Sequence, residues 1–114
     1  MSRLYEMRVR VTDFKKRKLN RIEKACLEQW SFDSEEFSME VDSKSIQGLT
    51  GKGIGALCGG ESEEEFADRL AVAIWKANGG YCEVEVQALY LEDMPYEQHV
   101  REEDDYKRLM NKGR

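Results

Sequence analysis

The glycine-rich stretch from Gly51 to Gly60 is the first candidate for chemistry in this sequence. Backbone N–H groups can approach an anion closely where no Cβ intervenes. A phosphate-binding loop also needs a Gly-Lys-Ser/Thr ending, however, and here Gly53 is followed by Ile54. A dinucleotide-binding pattern would open a helix directly, whereas the next helix has its own cap at Ser62. We therefore predict a mobile or hairpin connection, and the alternative is a ligand-binding loop formed by Gly51, Lys52, Gly53 and Gly55.

Nucleophilic and metal-binding side chains are few. The cysteines are Cys26, Cys58 and Cys82, an odd number without a close pair, which favours reduced thiols and a cytoplasmic protein over a disulfide framework. His99 is the only histidine and is expected to be solvated in an acidic tail. Because this pattern contains neither a zinc-binding spacing nor a base beside a thiol, we predict no catalytic residue, no metal and no cofactor. The chain is therefore predicted not to be an enzyme.

Charge is distributed unevenly along the chain, whose net charge is −5. Residues 1–30 hold nine Lys/Arg and four Asp/Glu, whereas residues 31–114 hold nine Lys/Arg and nineteen Asp/Glu. A predicted helix from about Lys15 to Gln29 presents many of the cations on its outer face. An ordinary solvated helix surface is the alternative to a binding surface here. The candidate partner-binding cations are Lys15, Lys16, Arg17, Lys18 and Arg21.

A helix from Ser62 to Gly79 is the clearest structural unit in the sequence. Ser62 and Glu65 have the spacing of a capping box, and Gly79 is placed to end the helix in the left-handed conformation. Trp75 lies opposite the apolar stripe of this helix, so the C-terminal segment or another chain must cover it. Trp75 is therefore a candidate partner-binding residue, with the C-terminal segment favoured as its cover. The stripe itself consists of Phe66, Leu70, Ala73, Ile74 and Ala77.

Alternating apolar and polar residues predict strands at Tyr5–Val11, Phe37–Asp42 and Cys82–Leu91. A further strand is predicted near Ser45–Leu49 or Ile54–Leu57, where glycine blurs the register. Together with the two helices, these strands give the order β-α-β-β-α-β. That order predicts an α+β ferredoxin-like sandwich, in which an antiparallel sheet carries two helices on one face.

The chain is predicted to form one domain, residues 1–94, followed by an acidic C-terminal extension, residues 95–114. Pro95 is expected to end the last strand because proline cannot donate to a ladder. The extension is predicted to be a short helix packed on the domain, or a tail. No apolar run reaches the ~18 residues of a membrane span, and the first residues lack the apolar core of a secretory signal.

The lead functional hypothesis is a non-catalytic protein-interaction module. An acidic surface can compete for a basic groove, so a small inhibitor or modulator of a nucleic-acid-handling complex is one form of this hypothesis. A nucleic-acid-binding domain that uses the basic first helix is the second hypothesis. A small enzyme or ligand binder at the glycine run is the third. The expected partner is another protein, and the chain itself is expected to be a monomer or a homodimer.

Overall fold

A five-stranded antiparallel sheet is the centre of the fold in the computed structural model, which describes residues 3–42, 45–57, 60–91 and 93–111. Three α-helices accompany the sheet in these residues. The elements in chain order are β1 (Arg3–Thr12), α1 (Leu19–Gln29), β2 (Ser38–Asp42), β3 (Ser45–Leu57), α2 (Glu63–Asn78), β4 (Glu83–Tyr90), β5 (Asp93–Arg101) and α3 (Glu103–Asn111).

β1 lies in the middle of the sheet, whose strand order is β2-β3-β1-β4-β5 with every neighbouring pair antiparallel. The predicted α+β class is confirmed, and the sheet has one strand more than predicted. Helices α1 and α2 pack against each other over one face of the sheet. The alternation of β1 is also confirmed, because its core-facing side chains are all buried: Tyr5, Met7, Val9 and Val11.

The caps of α2 agree with the sequence prediction. Ser62 Oγ accepts a 3.1 Å hydrogen bond from the backbone N–H of Glu65, and Glu65 Oε1 accepts a 3.0 Å bond from the backbone N–H of Ser62. Gly79 ends the helix with φ 78°, a left-handed conformation that glycine adopts without a steric penalty. Asn78 is buried beside it, where its Oδ1 accepts a 2.7 Å bond from the backbone N–H of Lys15.

The glycine run is largely a strand, so the prediction of a mobile connection at Gly51–Gly60 is wrong for its first seven residues. β3 is continuous from Ser45 to Leu57 and pairs with β1 from Gly48 opposite Thr12 to Leu57 opposite Arg3. The two alternative positions predicted for the third strand are two parts of this one element. Cys58 and Gly59 lie outside the described residues.

The glycines of β3 make room for the segment that follows α1. Gly51, Gly53 and Gly55 face the core, where the rings of Phe37 and Trp30 lie on Gly51 and Gly55 and the backbone of Phe32 lies on Gly53. A Cβ at Gly53 would lie 2.5 Å from Phe32 Cα, and a Cβ at Gly55 would lie 2.9 Å from Trp30 Cζ2. Since real Cβ atoms do not approach other atoms so closely, only glycine fits the observed packing.

β5 was not predicted from the sequence. It spans the predicted boundary between the domain, residues 1–94, and the C-terminal extension, residues 95–114. Pro95 does not end the sheet, because β5 is an edge strand and proline is tolerated where no further strand needs its N–H. Arg101 at the end of β5 donates through Nε to Asp68 on α2 at 2.7 Å. The C-terminal segment is therefore joined to the domain by strand pairing, by this ion pair and by α3.

The first helix begins later than predicted. Lys16–Lys18 form a short 3₁₀ turn, and the α-helix starts at Leu19 with no side-chain cap. Four consecutive cations oppose the positive end of a helix dipole, which gives a physical reason for the displaced start.

Candidate interaction surfaces

The basic cluster, which we define as Lys15, Lys16, Arg17, Lys18 and Arg21, occupies the turn before α1 and its first residues. Among the described residues, no carboxylate lies within salt-bridge distance of any of these five. Arg21 is the main reason that the pKa of Lys18 is lowered, and partial burial, Arg17 and Lys15 add to the effect. The structure therefore brings these predicted partner-binding cations together as a patch of like charge.

Trp75, the other predicted partner-binding residue, is 1% exposed and is covered by α3. The ring of Tyr106 packs edge-on against the indole at 5.1 Å between centroids, and Tyr81 lies on the same side. The indole Nε1 donates a 2.7 Å hydrogen bond to the carbonyl oxygen of Cys82. In this conformation Trp75 is part of the core, so it offers no surface to a partner.

The loop candidates Gly51, Lys52, Gly53 and Gly55 do not form a loop, since all four lie in β3. Their backbone groups are used by the fold: the carbonyl oxygen of Gly53 accepts from Trp30 Nε1 at 2.9 Å, and that of Lys52 accepts from the backbone N–H of Asp33 at 2.9 Å. An anion-binding arrangement of free N–H groups is therefore not built here. Of these four residues, Lys52 alone has a side chain, and that side chain points away from the core.

The face of the sheet that the helices leave uncovered was not identified from the sequence, and we call it the open sheet face. Its central side chains are Arg8 and Arg10 on β1, which lie opposite Lys52 and Thr50 on β3. On the other side of β1 these two arginines lie opposite Gln87 and Glu85 on β4. The signal was present in the sequence, because Arg8 and Arg10 alternate with buried residues of β1.

A shallow cavity of about 390 Å³ lies on the open sheet face. Two cations in its walls have carboxylate partners: Lys52 Nζ is 3.8 Å from a carboxylate oxygen of Glu36, which also lines the cavity, and Arg10 donates to Glu40 on β2 at 2.9 Å. Because each of these cations has a carboxylate nearby, the cavity does not concentrate one sign of charge. It suits a ligand surface that itself carries both signs.

One end of the open sheet face is apolar. Leu4 on β1 and Ile54 on β3 are 49% and 55% exposed, and Leu91 just after β4 is 38% exposed. The backbone N–H of Leu91 donates to the carbonyl oxygen of Leu4 at 3.1 Å, so these two residues are neighbours. Exposed apolar side chains grouped on one face, beside arginines, are typical of a surface that contacts another protein.

A tyrosine and a carboxylate meet at the start of α2, but their chemistry is structural. The hydroxyl of Tyr5 donates to Glu63, and the ring of Tyr5 stacks on Tyr90 at 5.0 Å between centroids. Burial and this hydrogen bond raise the pKa of Tyr5 to about 12, and the same bond lowers the pKa of Glu63. A general acid or base works best with a pKa near the working pH, and these two shifts go the opposite way.

The thiols and the histidine also have structural positions. Burial raises the pKa of Cys26 and of Cys82 to about 12, so both remain protonated and unreactive at neutral pH. His99, which was predicted to be solvated in a tail, lies in β5 opposite Val86 and is half-buried. Within the described part of the chain, no group of three or more His, Cys, Asp or Glu residues is placed to hold a metal ion.

No described helix is long and apolar enough to cross a membrane. Comparison of the chain with protein-family models, with curated proteins and with solved structures finds no match.

Proposed function

We propose that this chain is a non-catalytic protein-interaction module whose contact surface is the open sheet face. The observation that carries this proposal is the combination of exposed Leu4 and Ile54 with Arg8, Arg10 and Lys52 on one uncovered sheet. Protein interfaces combine an apolar part with arginine and paired charges in this way. The finer proposal, a modulator of a nucleic-acid-handling complex, is supported by the net charge of −5 alone.

We also propose that β1 to β4 with α1 and α2 form a ferredoxin-like unit that β5 and α3 extend. The element order and the adjacency β2-β3-β1-β4 support this proposal. Such a unit leaves one sheet face free of helices, which is the surface that the functional proposal uses. The fold by itself does not select a function.

Affinity capture with matched baits tests the functional proposal. The wild-type chain, the open-face variant Lys52→Glu/Ile54→Asp and a basic-cluster variant with Lys15 and Lys16 changed to Gln are compared in an extract of the source cells. A protein that the wild type and the basic-cluster variant retain, and that the open-face variant loses, supports the proposal. Equal retention by all three baits would contradict it, provided that the open-face variant melts like the wild type.

Nucleic-acid binding through the basic cluster is the second candidate, and the absence of described carboxylates near its five cations favours it. If all five contacted phosphates of duplex DNA, the slope of log K against log salt would be about −4.5. Fluorescence anisotropy with a labelled duplex and a labelled single strand measures that slope. A slope of this size that disappears when the basic cluster is neutralised would support this candidate over the open sheet face.

A further inference from the structure

In the centre of the open sheet face, cations on β1 and β3 lie beside carboxylates on β4. The cations Arg8 and Arg10 are on β1, and Lys52 is beside them on β3. The carboxylates Glu83 and Glu85 are on β4, the neighbour of β1 on the other side. Glu6 on β1 lies 3.9 Å from Arg8, and Glu40 on β2 accepts a hydrogen bond from Arg10. The change of sign between β1 and β4 is therefore carried by Arg10 and its cross-strand partner Glu85.

We propose that a second copy of this chain binds the open sheet face, so that the two sheets pack face to face about a two-fold axis. The axis would run parallel to the strands, between β1 and β4. Rotation about it places β1 of one copy over β4 of the other, and β3 over β5. This inference rests on the proposed function, because it names the partner of the same surface.

Rotation about the proposed axis places charges of one copy opposite charges of the other sign in the second copy. Arg10 and Glu85 are direct cross-strand partners within one copy, so they lie at the same height along the axis. After rotation, Arg10 of each copy faces Glu85 of the other copy. Opposite charges across an interface determine orientation and suppress other arrangements.

The same rotation brings the apolar ends of the two open sheet faces into contact. Leu4 on β1 and Leu91 just after β4 are neighbours beside the axis. Rotation therefore places Leu4 of one copy over Leu91 of the other, so that exposed side chains of both copies leave water together. The twist of two such sheets brings their strands within about 30° of each other when they pack.

Nucleic acid fits this face less well than a second copy does. Phosphates would be attracted by Arg8, Arg10 and Lys52, but Glu85 and Glu83 next to them would repel a polyanion. A surface of the same chain supplies the complementary sign at Arg10 and at Glu85. The contact is nevertheless small: four strands of about eight residues present roughly 500 Å² in each copy, which is near the lower limit of specific interfaces. Because so small a buried area gives weak association, we expect the dimer to form reversibly.

Sedimentation equilibrium with charge-reversed variants tests the inference. The average mass of the wild type should rise with concentration from 13.3 kDa towards twice that value. Arg10→Glu and Glu85→Arg should each weaken association by about a hundredfold, because each brings like charges together. An equimolar mixture of the two variants should associate again, since the two reversed side chains then face each other across the axis with opposite signs. Misfolding of either variant cannot produce that recovery.

Leu4→Asp and Leu27→Asp provide a matched control, since both leucines are similarly exposed but Leu27 lies on α1. Only the change at Leu4 should reduce association. A wild type that stays monomeric at about 1 mM overturns the inference, and so does a mixture of charge variants that does not associate. In either case, a different protein that binds the open sheet face in the capture experiment would leave the proposed function standing.

Discussion

The indole Nε1 of Trp30 donates a 2.9 Å hydrogen bond to the carbonyl oxygen of Gly53, which joins the end of α1 to the middle of β3. Next to it, Ser31 Oγ donates to the carbonyl oxygen of Ile54 at 2.7 Å. β2 pairs with β3 only as far as Thr50, so these bonds cover the edge of β3 beyond it. An uncovered edge would be a template for pairing with other chains.

Replacing Gly53 by alanine should destabilise the fold by about 1–3 kcal/mol, the usual cost of overpacking a core. The added Cβ would meet the backbone of Phe32 at 2.5 Å, and backbone atoms cannot move aside as a flexible side chain can. Gly80→Ala is the control, because a Cβ there meets nothing within 4 Å. Urea unfolding of both variants measures the difference. Equal stability of the two would show that the segment after α1 does not lie tightly on β3.

The glycine content of β3 explains why a connection was predicted there, although the spacing of the glycines is that of a strand. Gly51, Gly53 and Gly55 alternate with larger residues, which is the two-residue period of a strand. Glycine is usually unfavourable in a strand because it has no side chain to pack. Here the space is filled by the rings of Trp30 and Phe37 and, at Gly53, by the backbone of Phe32, all from another part of the chain. A sequence pattern shows the spacing of the glycines but not the atoms that occupy the space.

Removing the ring of Tyr106 should expose Trp75. Tyr106→Ala loses edge-on contacts with Trp75 and Tyr81, and each aromatic pair contributes about 0.5–1.5 kcal/mol beyond area burial. Tryptophan emission should shift to the red and the melting temperature should fall. Lys107→Ala, an exposed neighbour on α3, should change neither property. An unchanged emission in Tyr106→Ala would mean that α3 does not cover the indole in solution.

Stability should fall as the pH rises through the range from about 10 to about 12. The pKa of Tyr5 is about 12 in the folded chain and 10 ordinarily, so the unfolded chain loses this proton first and alkaline pH favours unfolding. The thiols of Cys26 and Cys82 act in the same direction from pH 9. Tyr5→Phe should therefore show a shallower decline, measured by denaturant unfolding at pH 8 to 11.5. A decline of the same steepness in both proteins would remove Tyr5 as a cause.

Neutralising the basic cluster should leave the fold intact or stabilise it. Mutual repulsion lowers the pKa of Lys18, mainly because of Arg21, and the side chains of the cluster are largely in contact with solvent. We expect glutamine at Lys15, Lys16, Arg17 and Lys18 to preserve the melting temperature. Added salt should raise the melting temperature of the wild type more than that of this variant. Calorimetry at two salt concentrations measures this. A large drop in the melting temperature would instead make the cluster structural.

Local signals in the sequence predicted α2, β1 and β4, because caps and alternation arise from neighbouring residues. β5 was missed because Pro95 indicates an end unless the strand is known to lie at an edge. The open sheet face was missed for a related reason. Arg8, Lys52 and Glu85 are far apart in sequence, and only the register of three strands brings them together.

Chemical labelling of lysines tests the central proposal most directly, because Lys52 lies on the open sheet face and Lys15, Lys16 and Lys18 lie in the basic cluster. The chain is labelled with an amine-reactive ester in source-cell extract and in buffer, at a concentration too low for self-association. If the open sheet face binds a partner, Lys52 should be labelled severalfold more slowly in extract than in buffer, while the lysines of the basic cluster are labelled equally in both. Protection of the cluster lysines with Lys52 unchanged would contradict the proposal and would assign binding to the basic cluster.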